Sequence, residues 1–282
     1  MSGLNNKLKV SVIFTTYNAH EWLEKVLWGY SVQTYPDFEI VIADDGSDER
    51  TKAVIEKIKK ETGLSIQHVW HPDDGFKKCE ILNRAILTAK NEYLIFSDGD
   101  CIPRNDFVAE HILHAKEGLY LTGSCIRLPM STSETIDKDD ILTNRCFNWK
   151  WLTDHGLPTK RKNIKLKAKK RWAGLLNFIT PARTNFTGGN ASAWKKDILA
   201  VNGFDQRMQW GGLDREIGVR LKNLGIKGKH VRYNAHIIHL EHARGYKDPE
   251  MVARNKALRI ANAKNKVIKT EYGINLILDE QK

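Results

Sequence analysis

The N-terminal third of the chain alternates short apolar runs with stretches of helical periodicity, and this alternation limits the fold more than any other feature. Apolar runs rich in β-branched residues, typical of buried strands, lie at residues 9–15, 38–43, 65–70 and 93–96. Helical periodicity separates them at residues 21–32, 50–60 and 78–89. Strands separated by helices of this length indicate βαβ units. The sequence therefore predicts an α/β fold with a mostly parallel central sheet flanked by helices.

The remainder of the chain has a less regular pattern. Helical periodicity recurs at residues 142–155, 214–224 and 249–270, and residues 228–240 have the pattern of a strand. The sequence contains no internal repeat and no linker rich in glycine and serine. We therefore expect a single domain over residues 1–282, built from two fused halves at residues 1–124 and 125–282.

Composition argues against secreted and membrane-spanning classes. Hydrophobic residues make up 41% of the chain, which suffices for a globular core. No apolar run approaches the roughly 18 to 20 residues of a membrane-spanning helix, and the polar N-terminus lacks the pattern of a signal peptide. The four cysteines have no CxxC spacing, which argues against a disulfide framework or a zinc site. We expect a cytoplasmic protein.

The charge of the chain points to an anionic partner. There are 45 Lys and Arg against 34 Asp and Glu, a formal charge of +11. This partner could be a phosphate-bearing substrate, a nucleic acid or an anionic membrane. Because the sequence has no helix-turn-helix, RNP or zinc-finger pattern, we expect no nucleic-acid partner.

The positive charge is densest at residues 160–171, where eight of twelve residues are Lys or Arg. Trp149, Trp151 and Trp172 flank this basic run, and tryptophan favours membrane interfaces. One interpretation is a surface for an anionic membrane or a lipid-diphosphate acceptor. The other is a solvated loop, the commoner fate of such runs. The sequence alone leaves both interpretations open.

Polar and acidic residues follow three of the predicted strands at the point where each strand ends. They are Thr15, Thr16, Tyr17 and Asn18, then Asp44 and Asp45, then Asp98 and Asp100. Each group alone is also typical of a turn. Because ligands of parallel sheets gather at the carboxyl ends of strands, we expect these groups to meet there. Carboxylates placed together favour a divalent cation, which takes oxygen ligands and bridges to phosphate.

Six segments, in this order, resemble the inverting nucleotide-sugar glycosyltransferases of family two, whose fold is GT-A, a Rossmann-like arrangement. They are SVIFTTYN (11–18), IVIADDGSDERT (40–51), GFKKCEILNRAI (75–86), YLIFSDGDCIP (93–103), FTGGNASAWKKDILAVNGFD (186–205) and WGGLDREIGVRL (210–221). The last resembles the tryptophan-glycine-glycine motif of β-1,4-galactosyltransferases and bacterial chondroitin-type polymerases.

The resemblance implies a set of residues that bind the nucleotide sugar: Thr15, Tyr17, Asn18, Asp44, Asp45, Lys77, Asn83 and Asp98. The first three would line the nucleotide pocket, and Asp44 or Asp45 would bind the base. Lys77 and Asn83 would contact the diphosphate or the base region. Asp98 would reach the ribose or a metal-bound water.

The resemblance also implies a metal site. Asp100, the second aspartate of an Asp-x-Asp motif, and His239, in the segment HLEH, would bind Mn²⁺ (or Mg²⁺). An imidazole ligand favours Mn²⁺ over Mg²⁺. His242 is the alternative ligand, and partly buried structural histidines are the alternative interpretation of the segment.

For the second half, the resemblance implies a catalytic base and an acceptor site. Asp214 would accept the proton of the acceptor hydroxyl, and Trp210, Gly211 and Gly212 would bind the acceptor sugar. An N-cap role is the structural alternative for Asp214. Relatives usually have Glu immediately before this aspartate, where this chain has Leu213, and that difference leaves the acceptor undefined.

Together these features predict metal-dependent, inverting transfer of a hexose or N-acetylhexosamine from a UDP-sugar. The acceptor would be a hydroxyl of a glycan or a lipid-linked glycan in bacterial surface-polysaccharide or lipopolysaccharide synthesis. The reaction would take place in the cytoplasm, with peripheral attachment to the inner membrane as an open alternative. A sugar nucleotidyltransferase and a basic nucleic-acid-binding module are the competing functions.

Overall fold

The computed structural model describes residues 8–168, 170–243 and 248–280. Its strands are β1 (Val10–Thr16), β2 (Phe38–Asp44), β3 (Ile66–Trp70), β4 (Tyr93–Asp98), β5 (Cys101–Pro103), β6 (Leu119–Thr122), β7 (Ser124–Arg127), β8 (Asn190–Trp194), β9 (Lys227–His230) and β10 (His236–His239). Residues 1–7, whose polarity entered the argument against a signal peptide, lie outside the described ranges.

The α-helices are α1 (His20–Ser31), α2 (Glu49–Thr62), α3 (Lys78–Thr88), α4 (Phe107–His114), α5 (Met130–Thr135), α6 (Lys138–Leu142), α7 (Trp149–Asp154), α8 (Lys170–Ile179), α9 (Lys195–Ala200), α10 (Leu213–Asn223), α11 (Pro249–Lys264) and α12 (Ile274–Glu280). Within the described ranges, 3₁₀ helices span Arg145–Phe147 and Arg161–Lys167. None of the described helices is long and apolar enough to cross a bilayer.

A seven-stranded sheet with the order β3-β2-β1-β4-β8-β6-β9 forms the centre of the molecule. Strands β3, β2, β1 and β4 are parallel to one another, and β6 is parallel to β9. Strand β8 runs antiparallel to both of its neighbours, β4 and β6. The predicted α/β fold with a mostly parallel central sheet is confirmed.

The register of this sheet brings the three polar strand ends together. Strand β1 pairs on one side with β2 and on the other with β4. Thr16 is the register partner of Asp44, and Thr15 is the register partner of Asp98. The polar groups that follow these strands therefore lie at one edge of the sheet, where parallel α/β sheets bind ligands.

A small second sheet with the order β5-β10-β7 lies beside this edge. Strand β10 is antiparallel to β5 and parallel to β7. Its last residue, His239, is the register partner of Cys101 and of Arg127. The pairing brings His239 next to the Asp98–Asp100 turn that connects β4 to β5.

Hydrophobic side chains fill both faces of the central sheet. In β1, Val10, Val12 and Phe14 belong to one buried cluster, and Ile13 belongs to another. Alternate side chains of a strand point to opposite faces, so the two clusters lie on opposite sides of the sheet. This two-sided burial explains why the strands of the first half are apolar without interruption.

Three segments differ from their predicted secondary structure. Residues 228–240 form two strands in different sheets, β9 and β10, because a turn intervenes in which Asn234 and Ala235 donate to the Val231 carbonyl. The C-terminal helix ends at Lys264, shortly before Lys266 adopts a positive φ of 55°. Residues 142–155 are divided between a 3₁₀ helix and α7, whose first turn is capped by Asn148.

Candidate active site

The carboxyl ends of β1 and β4 and the first turn of α10 line a cleft of about 1220 Å³. The predicted site residues that line it are Thr15, Tyr17, Asn18, Asp45, Asp98, Asp100, Trp210, Gly211, Gly212, Asp214 and His239. The cleft thus brings together residues from both halves of the chain. Three other predicted site residues, Asp44, Lys77 and Asn83, lie outside its lining.

Asp100 lies between two histidines at the floor of the cleft. Its Oδ2 atom is 2.9 Å from His242 Nε2 and 3.5 Å from His239 Nε2. The two imidazole rings stack with centroids 5.4 Å apart. The potential ligand atoms of these three residues all lie within 4.8 Å of one another. One carboxylate with two imidazoles is a donor set that suits Mn²⁺ and other divalent transition metals.

The charge state of Asp100 reflects these neighbours. Burial raises the pKa of its carboxyl, but the hydrogen bond from His242 and the charges of His239 and His242 outweigh burial and bring the pKa to about 2. The carboxylate is therefore ionised throughout the physiological range. An ionised carboxylate is the state that a metal ion requires.

His242, the alternative to His239 in the sequence, lies at the same carboxylate as His239. Strand β10 ends at His239, and the chain then leaves the sheet. The Leu240 N–H donates to the Asp100 carbonyl at 2.9 Å and holds this exit beside the acidic turn. Both histidines consequently reach the same carboxylate.

Asp98 has its own cationic partner. Its Oδ1 atom accepts a hydrogen bond from Lys78 Nζ at 2.9 Å and lies 3.5 Å from Thr15 Oγ1. Burial lowers the pKa of Lys78, but the charges of Asp98, Asp100 and Asp214 raise it by more, so its net pKa is above the usual value. A Cβ atom on Gly189 would lie only 2.8 Å from Asp98 Oδ2, so the carboxylate needs a glycine there.

The lysine at the cleft is therefore Lys78, whereas the sequence analysis selected Lys77. Lys77 is the N-cap residue of α3, and its side chain pairs with the exposed Asp74. Its backbone N–H contributes to the site, donating to Asp45 Oδ2 at 3.2 Å. Adjacent residues at the start of a helix point in different directions, which the sequence motif alone does not resolve.

Asp45 lies in the part of the cleft formed by β1 and β2. Its Oδ1 atom is 3.0 Å from His71 Nε2. Burial raises the pKa of the Asp45 carboxyl to about 6, against the opposing charge of His71. Tyr17, half exposed, donates a hydrogen bond from its hydroxyl to Asp73 Oδ2 at 2.8 Å. Asn18, with a positive φ of 46°, accepts from the Asp48 N–H at 3.0 Å.

Asp44 and Asn83 are buried beneath the cleft and have structural partners. Asp44 accepts from the Ser47 N–H at 2.8 Å, and its other oxygen is 2.8 Å from His68 Nε2. Asn83 bonds both the N–H and the carbonyl of Phe204 at 2.8 Å. These bonds fix the turn after β2 and the segment before Trp210. Both side chains therefore support the cleft from below, and neither is part of its lining.

Asp214 is the second residue of α10, and its side chain is not the cap of that helix. The N-cap residue is Gly212, with a φ of 90°. Asp214 Oδ2 instead accepts a hydrogen bond from the Gly188 N–H at 3.0 Å. The carboxylate is thereby held toward the loop before β8, at the wall of the cleft. The N-cap interpretation is wrong.

The loop that carries Trp210 is fixed by α11. Asn255 Nδ2 donates toward the carbonyls of Gln209, Trp210 and Gly211 at 3.1–3.2 Å. Gly211 has a φ of 105°, and a Cβ atom there would lie 2.9 Å from Val252 Cγ2. Both the conformation and the close approach of α11 therefore require glycine at this position.

Below the cleft, α10 is anchored by a buried ion pair. Arg220 donates to both carboxylate oxygens of Glu216 at 2.6 and 2.7 Å, and neither side chain is exposed. Asn262 Nδ2 donates to Glu216 at 2.7 Å and joins α11 to the same pair. This network fixes the helix whose first turn carries Asp214.

Cationic residues line the part of the cleft formed by α10 and α11. They are Arg215, next to Asp214, and Lys256 and Arg259, which lie within one turn of α11. The sequence does not distinguish them, because positive charge is abundant throughout the chain. They give this wall of the cleft a positive charge close to Asp214 and Trp210.

Comparison with known families identifies two matching regions. Residues 11–175 match the family described as Glycosyl transferase family 2, and residues 175–243 match the N-terminal domain of galactosyltransferase. A chondroitin synthase from Escherichia coli is 28% identical over 227 residues, which cover 77% of this chain and 32% of that protein. The chain thus spans about a third of the length of this relative.

Two solved structures are similar in fold. The mannosyltransferase PcManGT from Pyrobaculum calidifontis, in complex with GDP-Man and Mn²⁺, has a TM-score of 0.61 at 18% identity, covering 92% of this chain and 66% of that one. Staphylococcus aureus TarS in complex with UDP-GlcNAc has a TM-score of 0.59 at 15% identity, covering 93% of this chain and 70% of that one. The resemblance to family two is confirmed: the chain belongs to glycosyl transferase family 2 and has the GT-A fold.

Proposed function

We propose that the protein transfers a hexose or N-acetylhexosamine from a UDP-sugar to a hydroxyl of a glycan or glycolipid acceptor, with inversion and with a divalent cation. One observation carries this proposal. The Asp100, His239 and His242 cluster and the Asp214 carboxylate line the same cleft, so a cation site and a candidate base face one substrate space.

Asp100, His239 and His242 would hold the cation, Mn²⁺ in preference to Mg²⁺ because two of the three ligands are imidazoles. When bound, such a cation neutralises the charge that develops on a departing nucleoside diphosphate. Lys78, close to Asp98, adds a fixed positive charge from the protein at the same edge of the sheet. The donor's diphosphate would therefore lie between β4 and α3.

The nucleoside would occupy the part of the cleft lined by Thr15, Tyr17, Asn18 and Asp45. Tyr17 offers an exposed ring for stacking on the base, and Asp45 offers a buried carboxylate that accepts a hydrogen bond from it. Asp98 is placed to bind the ribose. The N-terminal half, residues 1–124, is the donor-binding half in this proposal.

Asp214 would act as the general base. An inverting transfer is a single displacement, in which one carboxylate takes the proton of the attacking hydroxyl. The Gly188 N–H bond at 3.0 Å orients the carboxylate and leaves its second oxygen for that hydroxyl. Trp210 offers an apolar face for the acceptor ring, and Gly211 and Gly212 leave room beside it.

The acceptor would carry carboxylate or phosphate groups. Arg215, Lys256 and Arg259 line the wall next to Asp214, where the attacking sugar must lie. Their charge complements an acidic glycan or a lipid-linked phosphate. The similarity to a bacterial chondroitin synthase supports a glycan acceptor. The reaction would belong to surface-polysaccharide synthesis in the cytoplasm.

A panel of nucleotide sugars, incubated with the protein and Mn²⁺, tests the proposal. UDP-sugars should be hydrolysed slowly without acceptor and release UDP, and NMR of an acceptor product should show an inverted anomeric centre. Release of pyrophosphate from UTP and a sugar phosphate would instead establish a nucleotidyltransferase. No feature of the cleft favours a nucleic-acid ligand over a nucleotide sugar.

A further inference from the structure

Helix α8 presents its large apolar side chains to the outside of the protein. Trp172, Leu175, Phe178 and Ile179 are 51%, 50%, 89% and 57% exposed. At 3.6 residues per turn these four positions fall within an arc of about 120° on one side of the helix. We call them the α8 stripe. A contiguous exposed apolar stripe of this kind marks an interaction surface rather than the scattered apolar residues of an ordinary surface.

The opposite side of α8 faces the protein and is fastened by specific contacts. Ala173 is fully buried. Asn177 Nδ2 donates to Asn234 Oδ1 at 2.7 Å, and Asn177 Oδ1 accepts from the Tyr233 N–H at 3.1 Å. Just beyond the helix, Arg232 donates to the Thr180 carbonyl at 2.8 Å. These bonds determine which side of the helix is buried, so the exposure of the stripe follows from the fold.

The sequence around the stripe carries positive charge only. Residues 155–196 contain no Asp or Glu. Lys160, Lys167 and Arg171 of the basic run are exposed. Lys167 Nζ lies 4.4 Å from the ring centroid of Trp149, and the Arg171 guanidinium lies 5.8 Å from that of Trp172. Lys169, within the same run, lies outside the described residues. Two cations of the basic run thus lie close to tryptophan rings, and one of these rings, Trp172, belongs to the α8 stripe.

We propose that α8 docks the protein on an anionic bilayer, with the α8 stripe in the membrane interface and the exposed Lys160, Lys167 and Arg171 at the lipid headgroups. A ten-residue helix is about 15 Å long, half the thickness of the hydrocarbon core, so it lies in the plane of the interface. The formal charge of +11 and the absence of acidic residues from this segment disfavour a second copy of the chain as the occupant.

The docking surface is separate from the reaction site. The described residues that line the cleft include none from α8. Helix α8 contacts Tyr233 and Asn234, which precede β10, whereas His239 ends that strand. The proposal therefore goes beyond the proposed reaction and does not depend on it. Docking would hold the enzyme where a lipid-linked acceptor is presented.

Flotation of the full chain with vesicles tests the proposal. The protein should bind phosphatidylglycerol vesicles at about 0.1 M salt and phosphatidylcholine vesicles far less, and about 0.5 M salt should weaken binding as the Debye length shortens to about 4 Å. Trp172→Ser combined with Phe178→Ser should reduce vesicle affinity at least tenfold. The matched control, Leu199→Ser with Leu278→Ser, changes exposed leucines elsewhere and should bind like the parent.

A second pair of variants tests the charge. Each basic residue near an anionic surface contributes about a fivefold change in binding, so Lys160→Gln, Lys167→Gln and Arg171→Gln together should weaken it about 100-fold. The control Lys52→Gln, Lys60→Gln and Lys90→Gln removes the same charge from other exposed sites and should have a much smaller effect. All four variants should keep the parent's UDP-sugar hydrolysis and unfolding midpoint.

Several results would overturn the proposal. They are failure of the parent to bind, equal binding to neutral and anionic vesicles, and equal losses in the stripe variant and its control. Sedimentation without vesicles gives a further test. If the parent is a dimer and the stripe variant is a monomer, the stripe mediates self-association instead.

Discussion

His242 Nε2 lies 2.9 Å from Asp100 Oδ2, closer than His239 Nε2 at 3.5 Å from the same oxygen. The histidine beyond the end of β10 is thus the nearer partner of the second aspartate of the Asp-x-Asp motif. One ionised carboxylate with two imidazoles is a donor set that suits Mn²⁺ better than Mg²⁺.

Removal of the metal ligands should abolish transfer. EDTA should stop the reaction and Mn²⁺ should restore it more fully than Mg²⁺. His239→Ala and His242→Ala should each weaken Mn²⁺ binding by more than about tenfold, the lower limit found for outer-sphere partners. Calorimetric titration with Mn²⁺ in the presence of UDP measures this. His20→Ala, at another part of the cleft lining, is the control; full activity in EDTA would contradict the assignment.

Asp214→Asn tests the proposal that Asp214 is the general base. The amide oxygen still accepts the Gly188 N–H bond but cannot take a proton. We expect kcat to fall about 100-fold or more, with UDP and Mn²⁺ affinities unchanged. Pre-steady-state product formation and UDP titration measure the two effects separately. A parallel collapse of UDP affinity would show that Asp214 is structural.

UDP binding should weaken in acid because of Asp45. Burial raises the pKa of this carboxyl to about 6, so protonation below pH 6 removes its capacity to accept from the base. Affinity should fall up to about tenfold between pH 7 and pH 5, because about a tenth of the carboxyl is ionised one unit below its pKa. The control is titration of Asp45→Asn with UDP over the same pH range, and its affinity should lack this loss in acid.

The raised pKa of Asp45 affects stability in the opposite direction: stability should fall, not rise, as the pH increases. A carboxyl with a raised pKa contributes stability that is fully present below its ordinary pKa and is lost as the pH rises through about 6. The unfolding free energy of Asp45→Asn relative to the parent should therefore increase between pH 4 and pH 7. A difference that is constant with pH would contradict the assigned pKa.

The cationic wall should select acidic acceptors. Arg215→Gln, Lys256→Gln and Arg259→Gln together should raise KM for an acceptor that carries carboxylates or phosphates. KM for a neutral acceptor and for the UDP-sugar should change little, because these residues lie on the side of Asp214. Initial rates with a matched pair of acidic and neutral acceptors measure this. An increase confined to the donor's KM would assign the cations to the diphosphate.

The buried pair below the cleft should be essential for stability. Arg220→Ala leaves the fully buried Glu216 carboxylate without its cation, which we expect to cost about 3–5 kcal/mol. Replacing both, Arg220→Met with Glu216→Leu, should cost less because no buried charge remains. Denaturant unfolding of the three proteins measures the difference, and a loss below about 1 kcal/mol for Arg220→Ala would be inconsistent with this role.

The strand ends of the site were predictable because they depend on short-range pattern. Apolar runs followed by Asp44, Asp45, Asp98 and Asp100 define where each parallel strand stops, and the sheet then places those ends together. No knowledge of distant contacts was needed. The fold class follows from the same reasoning, and so does the expectation that carboxylates gather at this edge of the sheet.

The details that the sequence left open or did not indicate depend on contacts between distant segments. His242 reaches Asp100 only because β10 ends three residues earlier, and Lys78 reaches Asp98 because of how α3 packs on the sheet. Asn83 is the opposite case, a predicted site residue that does not line the cleft. It lies in a segment that resembles the family, but it is on the buried face of α3 and bonds to Phe204. The exposed stripe of α8 was hidden because a basic run leads into it.

Strand β8 makes the two halves of the chain mutually dependent. Strand β8 belongs to the second half of the chain, but it pairs antiparallel with β4 of the first half at every residue of Tyr93–Ser97. It also pairs with β6. A polypeptide ending at residue 124 would leave that edge of β4 without its partner strand, with backbone groups open to aggregation. The chain should consequently unfold as one cooperative unit. Two fragments divided at residue 124 should therefore form an active enzyme only when they are combined. In such a fold, changes in the loops can alter the acceptor, whereas neither half can be exchanged as an intact unit.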